Sequence, residues 1–405
     1  MDNITSRIRD MYEQFPYPAG RPANRIGNDV ELALSYQNRR PESTTARQVL
    51  DAGCGRGIGI LGSATLQPEV HFLGVDINRV AIAEAENAAR QRGLGNVRFL
   101  ESDLMQLDGI NAPPDGFDII HSSGVIHHLS APEVGLTKLS EVLAPHGVIN
   151  LMVYAKHGRT PLIQTADAID LLLPQDMPLK DKVMPARAVA ALAKHHVLAG
   201  TMFEKTFEVN DVEFVDRLLN VNETSYDIPK LWEVLEAAGL RFLRWGEPKD
   251  WAPANLLPEG HLRQWVENLS EFDQFRFIEL IYRPTTLELL VCKADNELRT
   301  DLKPEDIDST IFELNPEIVI STGVRQTQAG QRVEKLDFTL RGLDPESLAS
   351  GPFASALLVL KDRQGSTLGR DLVSALQTIG TSTPDSNAII MEMVRREILY
   401  RPWCR

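Results

Sequence analysis

Val49-Leu50-Asp51-Ala52-Gly53-Cys54-Gly55-Arg56-Gly57 is the stretch on which the reading of this chain turns. Gln48 to Asp51 is a short, largely apolar run that reads as a buried strand. An acid closes it, and glycines follow at 53, 55 and 57. Glycines at such a turn let the backbone reverse sharply and let a ligand approach the main chain. A helix is predicted from about Ile58, which turns its first amides toward the same ligand. The dinucleotide fingerprint G-x-G-x-x-G puts its third glycine three residues after the second. Here Gly57 follows Gly55 by only two, and Asp51 sits at the strand end. A carboxylate there repels a pyrophosphate but suits a cation, such as the ammonium of an amino-acid moiety, directly or through water. The bland alternative is a tight strand-to-helix turn that holds nothing.

Further strands are predicted at His71–Asp76, Val97–Leu100, Phe117–Ser123 and Val148–Tyr154. Helices are expected between them: from Ile58, over Asn78–Gly93, from Gly124 and over Ala131–Leu143. Strand and helix alternating in this way argue for a parallel, doubly wound sheet.

The D-x-G-x-G form, with this pattern and with Gly124-Val125-Ile126-His127-His128-Leu129 after the fourth strand, resembles the class I S-adenosylmethionine (SAM) methyltransferases. The resemblance covers about 49–154 and, more loosely, 229–293. It implies a Rossmann-like α/β fold with a seven-stranded sheet, its last strand antiparallel. That strand is expected at Leu287–Cys292, between strands five and six, with Leu240–Trp245 as strand six. It also implies SAM as methyl donor and S-adenosylhomocysteine as product. Asp51, Gly53, Cys54 and Gly55 then form the loop under the amino-acid end. Asp76, with Ile77 beside it, is placed to accept hydrogen bonds from the two ribose hydroxyls. Asp103, flanked by Ser102 and Leu104, is the choice for the adenine amino group, with Glu101 as the neighbouring alternative. Ser122 completes the cofactor set.

Four segments are expected. Residues 1–30 form an N-terminal aromatic lid. Residues 31–156 and 227–295 form the SAM-binding domain. A helical insertion spans 157–226, with helices over Pro161–Leu173 and Ala186–Leu198, and 296–405 is a small C-terminal α+β domain, winged-helix-like in outline. In the lid, Ile4, Ile8, Met11, Tyr12 and Phe15 mark one face of a short helix that stops at Pro16. Tyr12 or Tyr17 is expected near the sulfonium, where an aromatic face attracts a cation. Aromatic packing onto the domain is the alternative. Arg21 and Arg25 read as surface charge or as carboxylate holders. In the C-terminal region Glu317–Ser321, Val333–Leu340 and Ser355–Leu360 read as strands, followed by helices near Asp371–Thr378 and Asp385–Arg396.

Methyl transfer needs a lone pair held in line with the S–CH3 bond and water kept out. A base is needed only where the acceptor carries a proton near neutral pH. His121, Ser123, His127, His128 and Tyr154 lie at the ends of strands four and five. His127 is the expected base, because it opens a helix facing the methyl end and imidazole titrates near neutrality. Tyr154 is the expected orienting residue. A structural role is the alternative for both.

The acceptor is an O or N nucleophile of a small metabolite or of a protein or peptide side chain. Layout and the stretch Phe214–Gly239 are similar to a bacterial subgroup that includes protein lysine methyltransferases. A SAM-binding interaction module with little catalysis is the rival class. No Asn/Asp-Pro-Pro-Tyr follows strand four, which counts against DNA-adenine or glutamine chemistry. A net charge of -14 argues against DNA or bulk RNA as partner. The chain of 405 residues, 43% hydrophobic and 24% charged, has room for roughly two or three domains. Cys54, Cys292 and Cys404 make neither a disulfide framework nor a metal spacing. Adjacent histidines diverge on a helix, so no metal is expected from His127-His128 or His195-His196. There is no apolar run of membrane length and no basic-then-apolar start, so the expected location is cytoplasmic. A homodimer is left open.

Overall fold

The computed structural model describes residues 2–17, 47–296, 302–315, 318–327, 330–340, 346–348, 352–361, 366–396 and 398–401. Arg21, Arg25, Cys404 and the second half of the expected lid lie outside them. Contacts divide the chain into two compact units, one within the described residues up to 296 and one from 302 onward.

The first unit opens with α1, Asn3–Gln14. Asp2 caps it by accepting the Thr5 amide at 2.8 Å, which satisfies one of the helix's orphan donors. β1 (Gln48–Ala52), α2 (Ile58–Leu66), β2 (His71–Asp76), α3 (Arg79–Gln91), β3 (Val97–Glu101) and β4 (Phe117–Ser123) follow. Asn78 caps α3, its side chain accepting from the Val80 and Ala81 amides. The expected helix after β4 is a single 3-10 turn over Ile126–His128. Gly124 there has φ +76°, a left-handed conformation that bends the chain before a helix can start. The α-helix α4 starts only at Pro132 and runs to Val142.

β5 spans Leu143–Tyr154 and so absorbs the expected Pro145-His146-Gly147 turn, with a shift in register between Phe117 and Ile119 of β4. α5 (Lys156–Leu172), α6 (Leu179–Ala193) and α7 (Asp211–Leu218) build the excursion before α8 (Ile228–Ala237) and β6 (Leu240–Trp245). Pro161 inside α5 supplies no N–H to the His157 carbonyl. That carbonyl accepts from the Arg283 guanidinium instead, at 2.9 and 3.2 Å. The one-turn helix α9 (Pro253–Leu256), α10 (His261–Glu267) and α11 (Glu271–Tyr282) lead to β7, Thr286–Lys293.

The seven strands are ordered β3-β2-β1-β4-β5-β7-β6, and β7 is antiparallel to both of its neighbours. This is the Rossmann-like seven-stranded sheet that the family resemblance implied. Strands β1, β4 and β5 read as nearly continuous apolar runs because both faces of a parallel sheet are covered. Leu50, Ile120, Ile149, Leu151 and Val153 are fully buried accordingly. The excursion has a core of its own, with Leu162, Ile169, Ala186 and Phe214 packed around Met11 of α1. That packing ties the N-terminal helix to the excursion. The two ends of the excursion meet: Tyr226 donates to the Tyr154 carbonyl at 2.9 Å and accepts from the Lys156 amide at 2.8 Å.

The second unit contains strands β8 (Ile311–Leu314), β9 (Ile318–Thr327), β10 (Gly330–Leu340), β11 (Glu346–Leu348), β12 (Thr367–Leu368) and β13 (Leu399–Tyr400) in two three-stranded sheets. Its helices are α12 (Pro352–Lys361), α13 (Gly369–Gln377) and α14 (Thr383–Arg395). The expected strand at Ser355–Leu360 is therefore helix. A short apolar run does not declare its period, and Pro352 at the first turn with Ala354 and Ala356 inside favours helix.

Candidate active site

A cavity of about 500 Å³ opens at the C-terminal ends of the parallel strands, within the size range of small-molecule sites. Its floor is the loop after β1. The Gly53 and Cys54 amides both donate to the Val75 carbonyl, at 2.8 and 2.9 Å, so β2 holds the loop against the sheet. Gly53 has φ +89°, and a Cβ there would stand 2.3 Å from Val125 Cγ2. No other residue type fits without moving the turn that carries the two histidines.

Two carboxylates face this floor. Asp76 accepts from the Gly55 amide through Oδ2 and from the Asn78 amide through Oδ1, both at 2.8 Å. It thereby fixes loop and helix start while each oxygen keeps a second lone pair. Burial raises its pKa, and those backbone donors pull the other way. Asp51 is buried, and burial, with the charge of Asp76 second, pushes its carboxyl up to about 7. A buried acid that resists ionisation next to another acid is a site short of positive charge. An ammonium would supply it.

Ile77, Ser102, Asp103 and Leu104 line the same cavity. The Ser102 amide donates to the Asp76 carbonyl at 2.9 Å, tying the β3 end to the β2 end. Asp103 Oδ1 accepts the Met105 amide at 2.9 Å. Ser122 lies elsewhere. It is fully buried, and its hydroxyl donates to the Ala52 carbonyl at 3.2 Å inside the sheet. Strand side chains alternate, so its neighbours His121 and Ser123 reach the cavity instead. Burial lowers the His121 pKa to about 4.

The opposite wall comes from outside the sheet. Tyr12 and Tyr17 of the N-terminal segment and Tyr154 at the end of β5 stand with Asp216 of α7. The Tyr12 hydroxyl donates to Asp216 Oδ1 at 2.9 Å and accepts from Asn220 Nδ2 at 3.3 Å. Burial, then the charge of Asp216, raises the Tyr12 pKa well above its ordinary value. Tyr154 is held between two groups. The Arg159 guanidinium carbon lies 3.5 Å from its ring centroid on one contact, and the His127 ring packs on it at 3.8 Å. Arg159 is in turn gripped by both oxygens of Glu223, at 2.9 and 3.2 Å.

His127, the expected base, does not line the cavity, whereas His128 does. The His127 ring is fully buried, and neither nitrogen has a hydrogen-bond partner among the described residues. Burial lowers its pKa well below the usual value, so the ring is neutral. Its visible role is to pack on Tyr154. The adjacent-histidine ambiguity was legible in the sequence, but the 3-10 turn that decides it was not. Asp216, Arg159 and Glu223 escaped the sequence reading altogether. An acid and an arginine within amphipathic helices look like solvated charge until the helices are placed.

Residues 43–182 match a family described as "Methyltransferase domain". An uncharacterized protein of Synechococcus sp. is 28% identical over 292 residues, 69% of this chain and 69% of its own length. The trans-aconitate 2-methyltransferase of Deinococcus radiodurans is 32% identical over 148 residues, 36% of this chain and 49% of that enzyme. Among solved structures, PKMT2 from Rickettsia typhi in complex with AdoHcy superposes with a TM-score of 0.68 at 16% identity, over 96% of this chain and 77% of that one. The chain carries a class I SAM-dependent methyltransferase domain. SAM supplies an electrophilic methyl on sulfur, and the donor set of the cavity fits it: an uncompensated acid pair, glycine backbone and a separate carboxylate beyond β3. Among the described residues no helix is long and apolar enough to cross a membrane.

Proposed function

We propose that the methyl acceptor is an amine nitrogen, with a lysine side chain of a protein or peptide as its class. The observation that carries this reading is Asp216, a buried carboxylate on the cavity wall among Tyr12, Tyr17 and Tyr154. A carboxylate on the wall beside three tyrosines favours an alkylammonium and disfavours an acid or a phosphate. The similarity of layout to protein lysine methyltransferases supports the same class. On this reading Asp51 takes the ammonium of SAM, Asp76 the ribose hydroxyls and Asp103 the adenine amino group. Ile77 and Leu104 flank the ring, and Tyr154 orients the acceptor. Net charge of -14 supports a protein acceptor rather than nucleic acid, and a cytoplasmic setting agrees with the composition.

The test is transfer of labelled methyl from SAM to a mixture of lysine-bearing peptides, read by mass spectrometry. Base-stable methyl on lysine is expected, with turnover reduced at least tenfold by Asp216→Asn. Base-labile methyl esters, or label on hydroxyl groups alone, would overturn the amine assignment.

A further inference from the structure

The turn after β4 and the end of the excursion are stitched together at the acceptor end of the cavity. His128 Nδ1 lies 2.9 Å from the Asn222 carbonyl oxygen. The Asn222 side-chain amide donates back to the His128 and Leu129 carbonyls, at 3.0 and 2.9 Å. The Thr224 amide donates to the His127 carbonyl at 2.7 Å. Asn222's own amide donates to Asn220 Oδ1 at 3.2 Å, and Asn220 reaches Tyr12. One short segment therefore fixes both the backbone and the ring of His128.

A carbonyl oxygen only accepts, so Nδ1 of His128 carries the hydrogen. In the neutral ring Nε2 then holds the free lone pair, and it points away from Asn222 because the two ring nitrogens diverge. His128 lines the cavity with Tyr12, Tyr154 and Asp216. This is the arrangement by which a hydrogen bond at one nitrogen selects the reactive state of the other.

We propose that His128 Nε2 accepts the proton of the incoming acceptor group, and that Asn222 is the positioning residue: its main-chain carbonyl sets the tautomer and its side-chain amide holds that carbonyl against the ring. For the amine reading given above, on which this step rests, the balance is simple. An alkylammonium gives one N–H proton to Nε2 and becomes a neutral amine with a lone pair, while the ring becomes imidazolium. The amine nitrogen then forms the N–CH3 bond as the S–CH3 bond breaks, and the sulfonium becomes a neutral thioether. The imidazolium afterwards releases its proton to solvent. The rings packed against this one are Tyr12 on α1, Tyr154 on β5 and neighbouring His127, and Asp216 on α7, bonded to Tyr12, lines the same cavity. Arg159, which packs on Tyr154, is charge-paired with Glu223.

Two measurements decide this. Nitrogen-15 NMR of the histidine-labelled full chain needs no acceptor. It is expected to show His128 with protonated Nδ1 and bare Nε2 near pH 8, and a smaller Nδ1-protonated fraction in Asn222→Ala, which keeps the main-chain carbonyl but loses the side-chain amide that holds it against the ring. Protonated Nε2 with bare Nδ1 in the wild type would overturn the assignment. Kinetics with the lysine-bearing peptides supply the second. His128→Asn keeps a donor for the Asn222 carbonyl but has no base. Turnover at pH 7 is expected to fall on the order of 100-fold with KM for SAM changed by less than about threefold. The wild-type rise of kcat through the imidazole titration should vanish in this variant. A variant that keeps its turnover within about threefold, or keeps that inflection, refutes the proposal. If the wild type methylates none of the amine probes, the amine reading fails while the NMR result still judges His128.

Discussion

Asp51→Asn tests the electrostatics of the donor site directly. The wild-type carboxyl is raised from 3.8 to about 7 by burial and by Asp76. An acid whose folded pKa exceeds its unfolded value binds more protons in the folded state between the two. The Asp51 contribution to stability is therefore greatest below about pH 4, falls as pH rises toward 7, and levels off above it. The difference of about 3 pH units corresponds to about 4 kcal/mol of lost stability at pH 8. Asparagine carries no charge to bury, so the variant should show a flatter profile across this window and gain stability relative to wild type as pH rises. At 2–4 °C per kcal/mol for a unit of this size, the relative gain between pH 4 and 8 is roughly 10 °C in Tm. Thermal melts of the SAM-free protein at whole pH values from 4 to 8 measure it. SAM should raise the wild-type Tm most at pH 8, because its ammonium offsets the burial cost, and should do much less for the variant. Parallel stability profiles for the two proteins would refute the argument.

Three further outcomes follow from the same geometry. Asp76→Ala should weaken SAM binding at least tenfold by calorimetry, and it also releases the Gly55 and Asn78 amides; unchanged affinity would remove the ribose assignment. Gly53→Ala forces a Cβ onto Val125 at a positive φ, and its denaturation midpoint should report a loss of about 1–3 kcal/mol. Arg159→Met leaves the Glu223 carboxylate without its guanidinium and frees one face of Tyr154, so kcat should fall about tenfold with calorimetric SAM affinity held, and a full kcat would show that the Tyr154 sandwich does not position the acceptor.

The cavity floor was readable because its geometry is written in backbone. Gly53 tolerates no side chain, Asp51 and Asp76 end consecutive strands, and one short peptide carries most of the information. The opposite wall is made of side chains that meet only through tertiary packing. Tyr12 and Asp216 are joined by one hydrogen bond and separated by most of the sheet in sequence. Ser122 and Ser123 differ by a single step of strand alternation, which no composition reveals. His127 and His128 are separated by the same kind of step on a 3-10 turn. The helical state of Ser355–Leu360 was hidden for a related reason: an apolar run without a polar partner face has no legible period.

The backbone clasp of Tyr226 on Tyr154 and Lys156 has a consequence for how such a protein diversifies. The polypeptide leaves the sheet and returns to it at one point, so the intervening segment can lengthen, shorten or be exchanged at an entropic cost that grows only as the logarithm of its length. Part of the proposed acceptor wall, Asp216 and Asn222 included, thereby lies on a stretch separate from the strands whose ends form the cavity floor. Selection can rewrite that part while the strands beneath it stay as they are.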